Sequence, residues 1–126
     1  MRLLLDTHVV LWLVEDPNAL GPRTREAATA ATHLAFSVVS FAEIGVKVAI
    51  RKLRVPHDLP ARIQDIGVRI LGLSPQHGLA LGSLPFHHRD PFDRLLVVQA
   101  REEGLTLVTA DRWIGAYDVP VLDPRT

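Results

Sequence analysis

Apolar positions in this chain fall into short unbroken runs, separated by longer stretches in which they recur at helical spacing. Leu3-Leu4-Leu5 stops at Asp6 and predicts a buried strand, and the runs at 34–39, 68–73, 105–109 and 119–122 predict four more. Between them, 7–15 predicts a largely buried helix. It is broken at Asp16-Pro17, because a proline disfavours helical geometry in the residue before it. The Ala-rich 22–31 predicts a second helix with Pro22 at its start. Further helices are expected at 40–52, 59–66 and 75–83, and a sixth at 91–103, stopped by Gly104. A loop at 84–89 and a short helical turn at 111–117 complete the chain. The strands are apolar throughout rather than alternating, as expected of a sheet covered on both faces. Alternation of such strands with helices predicts an α/β fold in three layers, a mainly parallel central sheet flanked by helices.

With 126 residues and no internal repeat, low-complexity tract or linker, one domain spanning 1–126 is expected. The absence of cysteine excludes disulfides and thiolate metal sites. No run approaches the roughly 20 apolar residues of a membrane span. The apolar run at the N-terminus is too short for a secretory signal, so the expected location is cytoplasmic. Fourteen basic and fourteen acidic residues balance to a formal charge of zero. That balance does not single out a nucleic-acid binder. It does not exclude one either, since a bound divalent cation supplies positive charge that the side chains lack. No Gly-rich phosphate loop is present, which disfavours nucleotide hydrolysis, and no His-Glu-x-x-His spacing suggests zinc.

The acids change the picture. Ligands of open α/β sheets bind beyond the carboxyl ends of the strands. Asp6 directly follows the first strand, Glu43 falls in the first turn of the helix after the second, and Asp111 lies just past the fourth. Asp90 and Asp93 open the sixth helix. Each has a structural alternative. Ser40-Phe41-Ala42-Glu43 fits a capping box, and Glu43 precedes Lys47 by four residues, the spacing of a helical ion pair. Asp90-Pro91-Phe92-Asp93 has the order of a helix cap, a first-turn proline and an acid favoured by the helix dipole, and Asp111 can cap the turn after it. Asp6 is different. Wedged between Leu3-Leu4-Leu5 and Val9-Val10-Leu11, it is expected to be partly buried, which is costly unless it is paired or binds metal. Carboxylates gathered at one sheet edge repel one another, and a hard divalent cation relieves that repulsion.

Leu4-Leu5-Asp6-Thr7-His8, Ser40-Phe41-Ala42-Glu43-Ile44, Asp90-Pro91-Phe92-Asp93-Arg94-Leu95-Leu96 and Leu107-Val108-Thr109-Ala110-Asp111 occur in that order. In this the chain resembles the PIN-domain family and, within it, the VapC-type toxins of toxin–antitoxin pairs. The resemblance runs from Arg2 to about Leu122. It implies a parallel sheet flanked by helices, an acidic pocket holding Mg²⁺ or Mn²⁺, and cleavage of single-stranded or looped RNA. It carries over Asp6, Glu43, Asp93 and Asp111 as metal ligands and catalytic acids. The family pattern puts its acid directly before an apolar helical stretch, which fits Asp93 and leaves Asp90 mainly as the cap. The resemblance further implies a homodimer and an inhibitory antitoxin partner. A basic side chain of that partner could take the metal's place, and Arg pairs bidentately with carboxylate. Two alternatives stay open: a small phospho-acceptor signalling domain, and a catalytically silent PIN-like binding module.

Among the remaining residues, Thr7, Ser40 and Thr109 are candidate hydroxyl partners of the acids. His87-His88 is expected in a polar surface loop. Arg51, Lys52 and Arg54 are favoured at a helix C-terminus by the dipole, with phosphate contact a weaker alternative. Trp12 is expected in the core, while Trp113 is left open between core and pocket.

Overall fold

The computed structural model describes residues 1–126. The strands are β1 (Arg2–Leu5), β2 (His33–Ser37), β3 (Arg69–Leu71), β4 (Thr106–Val108) and β5 (Val121–Leu122). They form one parallel sheet in the order β3-β2-β1-β4-β5. The helices are α1 (Thr7–Glu15), α2 (Pro22–Ala30), α3 (Val38–Ala49), α4 (Leu59–Asp65), α5 (Pro75–Ala80) and α6 (Pro91–Glu103). The expected α/β class and parallel sheet are therefore found.

Strand periodicity explains the layering. Leu3 and Leu5 point to one face of β1, where they pack with Val9 and Val10 of α1 and Leu59 and Ile63 of α4. Leu4 points to the other face and packs with Leu96, Val97 and Ala100 of α6. All three leucines are 1% exposed or less. Because both faces are covered, the strand reads as a continuous apolar run. At roughly 1.5–3 kcal/mol for each fully buried leucine, these few residues stabilise the sheet substantially.

The α2–β2–α3 connection departs from expectation. The Ser37 hydroxyl, at the end of β2, accepts the Val39 N–H at 3.0 Å and caps α3. The helix therefore begins at Val38, not after Ser40, and the capping-box reading of Ser40 and Glu43 fails. Val38 and Val39 suit either a strand or a helix by side-chain type, and the serine before them decides. Glu43 falls in the second turn, free of capping duty. Several other boundaries contract. The fifth helix ends at Ala80 and passes into a single 3₁₀ turn, Leu81–Ser83. The turn expected at 111–117 is a 3₁₀ turn over Ile114–Ala116. Gly104 ends α6 with φ +66, the left-handed geometry that glycine adopts without strain.

Neighbouring strands β1 and β4 connect onward in opposite directions across the sheet, β1 to β2 and β4 to β5. Such a reversal opens a crevice beyond the carboxyl ends of the two strands. Asp6 and Asp111 stand on either side of it.

Candidate metal centre

Each acid reaches this crevice for a local reason. Asp6 ends β1, and its backbone N–H extends the sheet by donating to Val108 O at 3.0 Å. Its Oδ1 accepts the Thr7 N–H at 2.7 Å, and its Oδ2 accepts the Thr109 hydroxyl at 2.7 Å. Glu43 projects from α3, where its Oε1 accepts the Thr7 hydroxyl at 2.6 Å and Lys47 Nζ lies 3.7 Å from Oε2. Two of the three expected hydroxyls thus orient acids. Ser40 is also buried, but its Oγ has no partner.

Asp90 is the cap of α6, as expected. Its Oδ1 accepts the N–H groups of Phe92 and Asp93 at 2.8 and 3.4 Å. It nonetheless lines the same cleft as Asp6, Glu43, Asp93 and Asp111, a cavity of ≈ 340 Å³ that also includes Lys47, His8 and Trp12. Trp12 is half-buried. It packs on the core on one side and lines the cleft on the other, with the His8 ring stacked on it at 6.2 Å.

Asp93 stands at the centre. Oxygens of Glu43, Asp90 and Asp93 lie within 4.8 Å of one another, and so do the ligand atoms of His88, Asp93 and Asp111. Asp6 belongs to neither group, although it lines the same cleft. Burial, then the charges of Asp6, Asp90, Glu43 and Asp111, push the Asp93 carboxyl up to about 7. Burial also raises Asp6, and the Glu43 charge adds to it; the hydrogen bonds from Thr109 and Thr7 oppose the rise. Among the oxygens of Asp6, Glu43, Asp93 and Asp111, Asp93 Oδ1 alone has neither a hydrogen bond nor an ion pair.

His88 was not anticipated here. Its Nε2 lies 2.9 Å from Asp111 Oδ2 and 3.0 Å from Asp93 Oδ2. Burial pulls its imidazole down, but the Asp111 hydrogen bond and the charges of Asp93, Asp111 and Asp90 outweigh that and raise it above the ordinary 6.5. Nδ1 accepts the Asp90 N–H at 3.2 Å, so the ring presents its N–H at Nε2, toward the two carboxylates. The segment at 84–89 is a loop, as expected, but it is a tied one. The buried Arg94 guanidinium donates to the carbonyls of Leu81, Leu84 and Pro85, and the Tyr117 hydroxyl accepts the His88 N–H at 2.9 Å. Two signals were present in the chain. His88 precedes the Asp90 cap by two residues, and Arg94 shares the apolar face of residues 97 and 98 by helical spacing.

The donor set fits a hard divalent cation. It is built of carboxylate oxygens, with Asp93 Oδ1 and Asp90 Oδ2 left unpartnered, and the basic side chains that pair with these acids are Lys47 and His88. Asp93 could hold the ion with Glu43 and Asp90 or with Asp111 and His88, and Asp6 lines the same cleft.

Comparison with known families decides the lineage. The family profile described as PIN domain matches residues 3–119. The chain belongs to the PIN-domain family. A curated relative of this PIN domain, Ribonuclease VapC22 of Mycobacterium tuberculosis, is 29% identical over 120 residues, covering 93% of this chain and 92% of the relative. Solved structures of similar fold include VapBC2 from Rickettsia felis bound to a promoter DNA fragment, with a TM-score of 0.71 at 17% identity over 97% of this chain and 98% of that one. DNA-bound VapBC from Salmonella typhimurium gives 0.70 at 16% identity, covering 98% of both chains. No helix of the PIN domain is long and apolar enough to cross a membrane.

Proposed function

We propose that this PIN domain is a divalent-metal-dependent endoribonuclease, acting in the cytoplasm as the toxin of a toxin–antitoxin pair. The observation that carries the reading is the convergence of Asp6, Glu43, Asp90, Asp93 and Asp111 on one cleft, with Asp93 pushed up to about 7 by burial and then by the charges of its neighbours. Acids so crowded are unfavourable unless a cation neutralises them. The similarity to a relative named as a ribonuclease supports RNA as substrate. The fold shared with the VapBC complexes supports an antitoxin partner.

Bound in this cleft, Mg²⁺ or Mn²⁺ would neutralise charge on a phosphodiester and lower the pKa of a water. The chain's own contribution is to hold oxygens in place. Thr7 and Thr109 fix the lone-pair directions of Glu43 and Asp6. The His88 N–H steadies Asp93 and Asp111, and the Trp113 N–H holds the second Asp111 oxygen at 2.8 Å. Lys47 stands at the rim, where its charge favours an incoming phosphate. The same dense acid set would accept an Arg or Lys from an inhibitory partner in place of the metal.

Incubating single-stranded RNA with the purified protein tests the reading. Cleavage should require Mg²⁺ or Mn²⁺, stop with chelator, and be lost in Asp6→Asn. Co-expression with the product of an adjacent small gene should give a stable complex with suppressed cleavage, and sedimentation of the free protein should show a homodimer. Wild-type cleavage by Asp6→Asn would overturn the metal-centred reading, and a complex as active as the free protein would overturn the toxin reading.

A further inference from the structure

A second cleft of ≈ 380 Å³ opens beside the carboxylates, lined by Phe86, His87, His88, Arg89 and Trp113. The two clefts share a wall. His88 reaches Asp93 and Asp111 through Nε2, and the backbone N–H of Trp113 is bound to Asp111. Phe86 is 84% exposed and Trp113 is 55% exposed. Large aromatics left this open call for an occupant more than scattered small apolar residues do.

Guanidinium groups accompany both rings. Arg94 Cζ lies 4.0 Å from the Phe86 centroid, and Arg112 Cζ lies 5.5 Å from the Trp113 ring. Arg89 adds a third charge at the solvent edge. The backbone that carries each ring is also held. Arg94 is buried and anchors the carbonyls just before Phe86, while Asp111 fixes the backbone of Trp113. Less backbone order is therefore lost when something binds. No carboxylate lines this cleft, whereas five line its neighbour. The charge pattern therefore suits a chain carrying flat apolar faces and repeated negative charge.

Resting on the ribonuclease reading, we propose that the Phe86–Trp113 cleft is a nucleobase subsite for single-stranded RNA. A base adjoining the phosphodiester in the carboxylate cleft stacks on Trp113 or Phe86, and Arg89 and Arg112 meet the backbone phosphate beside it. Stacking of this kind requires an unpaired base, because a base within a helix has no free face. It is also tolerant of sequence, since every base offers a π-face.

Binding of a short single-stranded RNA to the full chain tests this. Ca²⁺ serves as the oxygen-seeking cation in the binding samples, and cleavage is followed in parallel samples with Mg²⁺ or Mn²⁺. In a Trp12→Phe background, where Trp113 is the one tryptophan left, RNA should quench the fluorescence. The dissociation constant should rise about 5- to 150-fold in Trp113→Ala, the range expected for one lost stack. Trp113→Phe, which keeps an aromatic face, should recover most of the affinity, and a duplex of the same sequence should bind far more weakly. Unchanged RNA affinity in both Trp113→Ala and Phe86→Ala overturns the assignment. So does a cleft that a partner peptide occupies while RNA leaves Trp113 unquenched. The two readings fail separately. Quenching without cleavage under any divalent cation would remove the nuclease and leave the subsite, whereas metal-dependent cleavage indifferent to both rings would remove only the subsite.

Discussion

Asp93→Asn should make the metal-free protein more stable while destroying its function. Asparagine keeps the shape of the side chain and an oxygen for His88 to bond, but removes one negative charge from a site where Asp6, Asp90, Glu43 and Asp111 all oppose it. Those neighbours and burial move the carboxyl from an ordinary 3.8 to about 7. That interval is roughly 3 pH units, each worth about 1.4 kcal/mol, so holding Asp93 ionised above pH 7 costs at most about 4 kcal/mol. Solvent in the open cleft and the His88 N–H reduce this, and a gain of roughly 1–2 kcal/mol is expected at pH 8. For a chain of this length that corresponds to a rise of about 3–8 °C in Tm. Thermal melts in chelator at pH 8, pH 5 and pH 3.5 read the effect. The two proteins should converge only below about pH 4, where the carboxyl is protonated in the unfolded chain as well, and the gap should be intermediate at pH 5. Millimolar Mg²⁺ should raise the wild-type Tm, by stabilising the state that binds it, and leave the variant unmoved. An Asn variant that melts no higher than wild type at pH 8 in chelator, or that gains as much from Mg²⁺, would refute the electrostatic account of the cleft.

The wild-type pH profile follows from the same groups. Asp93 and His88 are both raised, so each contributes stability that is fully present below its ordinary value and is lost as pH rises through the raised one. Metal-free Tm should therefore fall between about pH 4 and pH 7 and beyond, and saturating Mg²⁺ should flatten the fall; a metal-free Tm that rises over this window contradicts the assignment. Thr109→Val removes the hydroxyl bonded to Asp6 and should lower metal affinity about 10- to 100-fold, the usual effect of losing a ligand's supporting partner, as read by calorimetric titration with Mn²⁺. His88→Ala should weaken Mn²⁺ binding similarly, and His88→Gln should restore part of it by offering an amide N–H to Asp93 and Asp111; equal loss in both would argue against a hydrogen-bonding role. Phe36→Ala, at a fully buried position on β2, should cost about 3–5 kcal/mol in denaturant unfolding without a specific effect on metal affinity once folded.

The parts of this molecule legible in its sequence are those governed by local chemistry. Leu3-Leu4-Leu5 reads as a doubly covered strand because all three positions are buried, and Gly104 reads as a helix stop because the backbone there is left-handed. Asp6 stands out because an acid between two apolar runs has few inexpensive surroundings. Other features depend on contacts distant in sequence. Ser37 and Ser40 are both possible caps before helical residues, and only the end of pairing with β3 settles which hydroxyl closes the helix. His88 looks like a loop histidine until Asp111, 23 residues later, is brought to its Nε2. Arg94 could pass for a solvated helix residue, yet it is buried under the turn that it holds. Asp90 and Asp93 read as alternatives in the chain, but in the fold they share one cleft, the first capping α6 and the second standing among the other acids.

The fate of the scissile phosphate tests the central claim most directly. Cleavage of single-stranded RNA is run in heavy-oxygen water with Mg²⁺, and the product ends are analysed by mass. A carboxylate-held metal that activates water predicts one solvent oxygen in the terminal phosphate, no cyclic phosphate at any time, and no product in excess chelator. Attack by the neighbouring 2′-hydroxyl, with a cyclic phosphate free of solvent oxygen and cleavage undiminished by chelator, would contradict it.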